Sequence, residues 1–138
     1  MLPLLADRRP GEQVFIVLVL PSLFGAICGV LLGVSAGVYT VLTLLGILGG
    51  LVAGYDHATA SEGALRGVAG GALFGTFILL AHAITGAHAQ AKLPEPHIVL
   101  PIATTLISVV LGAIGGAVRA RSLRAPAGRP PGIGSIRR

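Results

Sequence analysis

The chain has 138 residues, of which 54% are hydrophobic and only 11% charged. A water-soluble domain carries roughly 25% charged residues, so this composition excludes one and points to an apolar solvent. The net charge of +5 does not indicate nucleic acid, because six of the nine arginines stand in the last twenty residues, with no aromatic residues between them on which bases could stack.

No charged residue stands between Glu12 and Asp56. One helix of that length would rise about 60 Å, twice the thickness of a hydrocarbon core. The run therefore predicts a hairpin, broken at Gly33-Val34-Ser35-Ala36-Gly37, with spans over 13–34 and 38–55. The apolar run from Val14 to Gly33 exceeds a signal-peptide core of roughly 7–15 residues, so a retained first span is expected. Pro21, followed by Ser22, predicts a bend in it, because proline removes a helical donor. Cys28 is the only cysteine, which excludes an internal disulfide. Its apolar, uncharged setting predicts an inert packed thiol.

A polar patch, Asp56-His57-Ala58-Thr59-Ala60-Ser61-Glu62, leads into a third span over 63–86. Thr59 and Glu62 fit a capping box, and Glu62 and Arg66 are spaced for a helical ion pair. The rival reading of Asp56, Glu62 and Arg66 is a gate or docking site. After the loop from Ala87 to Pro96 comes a fourth span over 97–118, with Pro101 near its start. The four spans form one domain, 1–118. Residues 119–138 hold Pro126, Pro130, Pro131 and six arginines, the composition of a disordered basic tail that would adsorb to anionic lipid headgroups.

With four spans, Arg8, Arg9, Arg66 and the six tail arginines share one side, against Lys92 on the other. The positive-inside rule then places both termini in the cytoplasm of a cell-membrane protein. Leu45-Gly46-Ile47-Leu48-Gly49-Gly50-Leu51-Val52 resembles Leu111-Gly112-Ala113-Ile114-Gly115-Gly116-Ala117-Val118, and Leu23-Phe24-Gly25 recurs as Leu73-Phe74-Gly75. A tandem parallel repeat of one hairpin explains this, and so does low-complexity coincidence.

Glycine recurs every fourth residue: Gly25, Gly29, Gly33 and Gly37; Gly46, Gly50 and Gly54; Gly63, Gly67, Gly71 and Gly75; Gly112 and Gly116. Each set forms a smooth stripe on one helix face, which lets backbones approach closely where lipid supplies no hydrophobic drive. An all-α integral membrane four-helix bundle of two hairpins, packed as a glycine zipper, is the expected fold. Any stripe left unused would serve a homo-oligomer.

His82 is an ionisable group within a span, and such groups are functional hypotheses by default. It is expected either to pack by hydrogen-bonding Thr104 or Thr105, or to line a proton or ion path. No His/Cys/Asp/Glu spacing encodes a metal site, no cofactor is expected, and no catalytic constellation is visible. The runs Gly49-Gly50-Leu51-Val52-Ala53-Gly54-Tyr55 and Glu62-Gly63-Ala64-Leu65-Arg66-Gly67-Val68-Ala69-Gly70-Gly71 resemble small four-helix membrane proteins of unknown function from archaea and bacteria. The resemblance implies the same architecture and brings no activity with it. The expected role is non-enzymatic: an accessory or assembly subunit, or a homo-oligomer, working through helix contacts in the bilayer or in a larger membrane complex. The alternative is a small transporter or channel with a path near His82.

Overall fold

The structure, a computed structural model, describes residues 4–124. Those residues form a 3-10 turn, Leu5–Asp7, and four helices with no strand among them. The helices are α1 (Pro10–Leu32), α2 (Ala36–Tyr55), α3 (Ala60–Thr85) and α4 (Val99–Arg124), each long and apolar enough to cross a membrane. At 1.5 Å per residue they rise about 35, 30, 39 and 39 Å.

Local chemistry sets the boundaries. Pro10 occupies the first turn of α1, where its missing N–H costs nothing. The first hairpin breaks at Gly33 and Val34, and Ser35 caps α2 by accepting from Val38 N at 3.4 Å. Gly37 thus lies inside α2 rather than in the turn. Thr59 caps α3, its Oγ1 accepting from Glu62 N at 3.3 Å, while the Glu62 carboxylate reaches back to Ala58 N at 3.1 Å. Gly86, at φ 62°, ends α3 in the left-handed conformation that glycine adopts without strain.

The fourth helix departs from expectation. Arg119 to Arg124 are helical, where a disordered tail was expected from 119. Arg119 is only 4% exposed and lies over the Tyr55 ring, 5.2 Å from its centroid, so packing against α2 carries the helix on. The rest of the expected tail, 125–138, lies outside the described residues.

α3 packs most closely against α4 and then against α1, while α2 packs mainly on α4. The consecutive helices α1 and α2 touch much less. The interior of the bundle is thin: the buried hydrophobic residues are Cys28, Leu32, Tyr39, Phe74 and Ile78, whereas large apolar side chains stand exposed on every helix. Water would penalise that arrangement at every exposed leucine; lipid does not. The distribution is consistent with a multi-pass membrane protein.

Glycines sit where helices approach. A Cβ on Gly71 would stand 2.6 Å from Thr105 Cα, one on Gly75 2.5 Å from Pro101 Cα, and one on Gly67 2.6 Å from the Ser108 carbonyl carbon. Gly63 faces Gly112, and Gly116 faces the backbone of Thr59. Gly54 likewise meets Gly112, at 2.6 Å from its Cα. On α1, Gly25 and Gly29 face the backbone of Phe74 and Ile78. Gly33 faces Ala87, and Gly46 faces the Phe24 and Phe74 rings. Gly50 makes only ordinary contact with Ser108, at 3.7 Å, and Gly37 meets only Ser35.

Candidate functional site

The sparse contact between α1 and α2 leaves a cavity of about 450 Å³ at the end of the bundle that carries the α2–α3 turn. One wall is α1, from Ile16 to Phe24. The second is α2, with Gly46, Gly49 and Gly50, and the floor is α3, with Arg66, Gly67, Gly70 and Gly71. The Phe24 and Phe74 rings, stacked with centroids 6.0 Å apart, line its deep side.

Arg66 is the charged group on that floor, six residues or about 9 Å along α3 from its start. It is only 9% exposed, and α1 supplies its partner. Residues Phe15–Val19 form a π turn, and the Leu20 N–H bonds to the Phe15 carbonyl. In regular α-helix that N–H would bond Ile16 instead, and in π register Ile16 would be served by residue 21. Residue 21 is proline and has no N–H. The Ile16 carbonyl is therefore left without a helical donor, and Arg66 Nη2 donates to it at 2.7 Å. Ser22 Oγ donates to Leu18 O at 2.7 Å, and the irregularity next to Pro21 and Ser22 is a π turn tied to α3.

The expected Glu62–Arg66 ion pair does not form. Glu62 is turned back to cap its own helix and Arg66 reaches across to α1. Asp56, at the cavity mouth, pairs instead with Arg8 at 3.4 Å, and Leu5 N donates to the Asp56 carbonyl at 2.9 Å. The N-terminal turn is thereby pinned to the end of α2. The bond to Ile16 uses one of the five guanidinium N–H groups. Nε is enclosed and has no hydrogen-bond partner among the described residues.

A second recess, about 970 Å³, lies at the opposite end. His82 lines it with Lys92, Glu95 and His97 from the loop before α4. The expected bond from His82 to Thr104 or Thr105 is absent. Thr104 Oγ1 has the carbonyls of Gly71, Leu100 and Pro101 within reach of its single O–H, and Thr105 Oγ1 donates to that of Pro101. His82 Nδ1 is enclosed and has no hydrogen-bond partner among the described residues. No group of three His, Cys, Asp or Glu residues able to hold a metal occurs among the described residues. Phe24, Phe74 and Ile78 stand on the apolar stretch between His82 and Arg66.

Spacing brought Asp56, Glu62 and Arg66 together in the sequence, and the structure separates their roles. Reading the sequence missed Arg8 as the partner of Asp56, Ile16 as the acceptor for Arg66, and Gly49 and Gly70 as cavity wall. A signal for one of these was present: Pro21 stands five residues after Ile16. Comparison with protein-family models, with curated proteins and with solved structures finds no match to this chain.

Proposed function

We propose that the chain is a small polytopic protein of the cell membrane, with both ends in the cytoplasm, that acts without catalysis as an accessory or assembly subunit. One observation carries the reading. Five polar side chains within the spans are bound to the chain's own backbone: Ser22 to Leu18, Thr40 to Ala36, Arg66 to Ile16, Thr104 to Gly71 and Thr105 to Pro101. Groups spent in this way hold helices rather than transform a substrate.

The glycine stripes support a zipper that closes inside the protomer, since ten or more of these positions meet another helix of the same chain. Of the stripe positions, Gly37 meets no other helix and Gly50 makes only ordinary contact, a slender basis for a glycine-faced homo-oligomer. An accessory role through the apolar outer surface is the better fit. Cross-linking in intact membranes, followed by solubilisation in mild detergent, tests it. A hetero-complex of fixed stoichiometry is expected; a chain that cross-links to nothing, or only to itself, overturns the accessory reading.

Transport is the second reading, favoured by two recesses at opposite ends of an apolar centre, one lined by Arg66 and the other by His82. The Arg66 cavity and the His82 recess would open alternately about the Phe24–Phe74 stack. Ion flux into liposomes bearing wild type or His82→Ala decides this. Flux that depends on His82 supports transport, and its absence for protons, alkali cations and chloride opposes it.

A further inference from the structure

We propose that the cavity between α1 and α2 holds one anionic lipid of the cytoplasmic leaflet, its phosphate at Arg66 and an acyl chain along the glycine wall. The proposal rests on the bilayer-spanning reading above and adds a ligand to it.

Charge is the first argument. Arg66 keeps its proton under all ordinary conditions, and a buried charge without an opposite partner is costly. Among the described residues the one carboxylate on the cavity wall, Asp56, is paired with Arg8. Glu62 is exposed and bonded to Ala58 N. Asp56 attracts Arg66 without a direct ion pair, so on this wall one carboxylate is shared between two guanidinium groups. The Arg66 Nε–H, enclosed and unpartnered, is the donor that an anion would take. A guanidinium fork suits phosphate oxygens by geometry as well as by charge.

Shape is the second. Leu20 on α1 and Leu45 and Val52 on α2 line the cavity and are 49%, 53% and 67% exposed. The cavity therefore opens sideways, between α1 and α2, to the medium those side chains meet. Gly46, Gly49 and Gly50 leave that wall of α2 without side chains. A Cβ on Gly49 would meet nothing within 4 Å. A hydrated inorganic anion would have to lose its water against these apolar walls, whereas an amphiphile satisfies guanidinium and wall together.

The test is native mass spectrometry of the full chain in a mild non-ionic detergent, titrated with phosphatidylglycerol or with phosphatidylcholine of the same acyl chains. One phosphatidylglycerol per chain is expected, held about tenfold more tightly than phosphatidylcholine. Arg66→Gln should erase that preference. Gly49→Leu, which puts a side chain into the slot from a position whose Cβ would meet nothing within 4 Å, should weaken both lipids tenfold or more while leaving every arginine in place. If Arg66→Gln does not fold, the headgroup preference of wild type and the weaker binding of both lipids by Gly49→Leu still decide. Equal retention of the two lipids overturns the proposal, as does binding unchanged by Gly49→Leu, which would place the lipid elsewhere, such as on the basic residues near the C-terminus. Displacement by millimolar inorganic phosphate would make a free anion the ligand and overturn it too. A chain shown to span the bilayer that retains no phosphatidylglycerol fails this proposal alone.

Discussion

At Arg66 a single hydrogen bond joins two irregularities that would each be costly alone. Proline within a helix costs about 3 kcal/mol, in part because a carbonyl loses its donor. A buried arginine needs acceptors for its N–H groups. Here the orphaned Ile16 carbonyl and the guanidinium satisfy each other at 2.7 Å. The two residues should therefore be energetically coupled. Pro21→Ala restores an N–H that can serve α1 directly, so losing Arg66 should matter less in that background. Thermal unfolding in detergent of Pro21→Ala, Arg66→Gln and the double variant should reveal a coupling of about 0.5–3 kcal/mol. Strict additivity would mean that the Ile16 carbonyl is not shared between them. The sequence offered Glu62 as the partner because it stands four residues before Arg66 on the same helix. Nothing local could show that a proline forty-five residues earlier had freed a better acceptor. The i,i+4 rule failed because Glu62 was already bonded to the backbone at the start of its helix.

Among elements, the α3–α4 contact owes its closeness to what is missing from it. Gly67 faces the Ser108 backbone and Gly71 that of Thr104 and Thr105, so a side chain at either must push the helices apart. Overpacking of this kind costs about 1–3 kcal/mol. Gly67→Ala should lower the unfolding midpoint in detergent, and Gly71→Leu should disrupt folding or assembly. Gly49→Ala has open space and gains helix propensity of roughly 0.5–1 kcal/mol, so its midpoint should hold or rise. Equal behaviour of Gly67→Ala and Gly49→Ala would show that the stripes do not set the helix spacing. The spacing of four was legible in the sequence, and with it the existence of smooth faces. Which helix each face meets was not, because a repeat along one helix carries no information about its neighbour. Thus the α1 stripe turns to α3 rather than to α2, its partner in the hairpin. The helices themselves were legible to within a few residues, since long apolar runs bounded by polar turns leave little choice. The end of α4 was not, because Arg119 reads as a tail charge until the Tyr55 ring beside it is known.

For the whole molecule, the asymmetry between the two hairpins is the feature with consequences. Equivalent halves of a repeat would close equally; α3 and α4 close along glycine, while α1 and α2 stay apart and admit the cavity. Like still meets like in one place, where Phe24 and Phe74, from the recurring Leu-Phe-Gly segments, stack on each other. The cavity end carries Arg8, Arg66 and Arg119, and the far end Lys92. That imbalance opposes moving the arginine-bearing end across the membrane, and it sets the expected orientation. Cysteines at exposed Ala6 and Gln90 read the two ends, in a chain whose own Cys28 is fully buried. In intact cells a membrane-impermeant maleimide should label Gln90→Cys and spare Ala6→Cys until the membrane is opened. The reverse pattern would put Arg66 and its cavity in the outer leaflet and remove the cytoplasmic leaflet as the source of its lipid. Labelling of both sites in intact cells would be incompatible with four helices that all cross the bilayer, because three of them lie between Ala6 and Gln90. Labelling of Ala6→Cys alone, with Gln90→Cys reactive only after lysis, is therefore the single pattern that inverts the molecule while keeping its architecture.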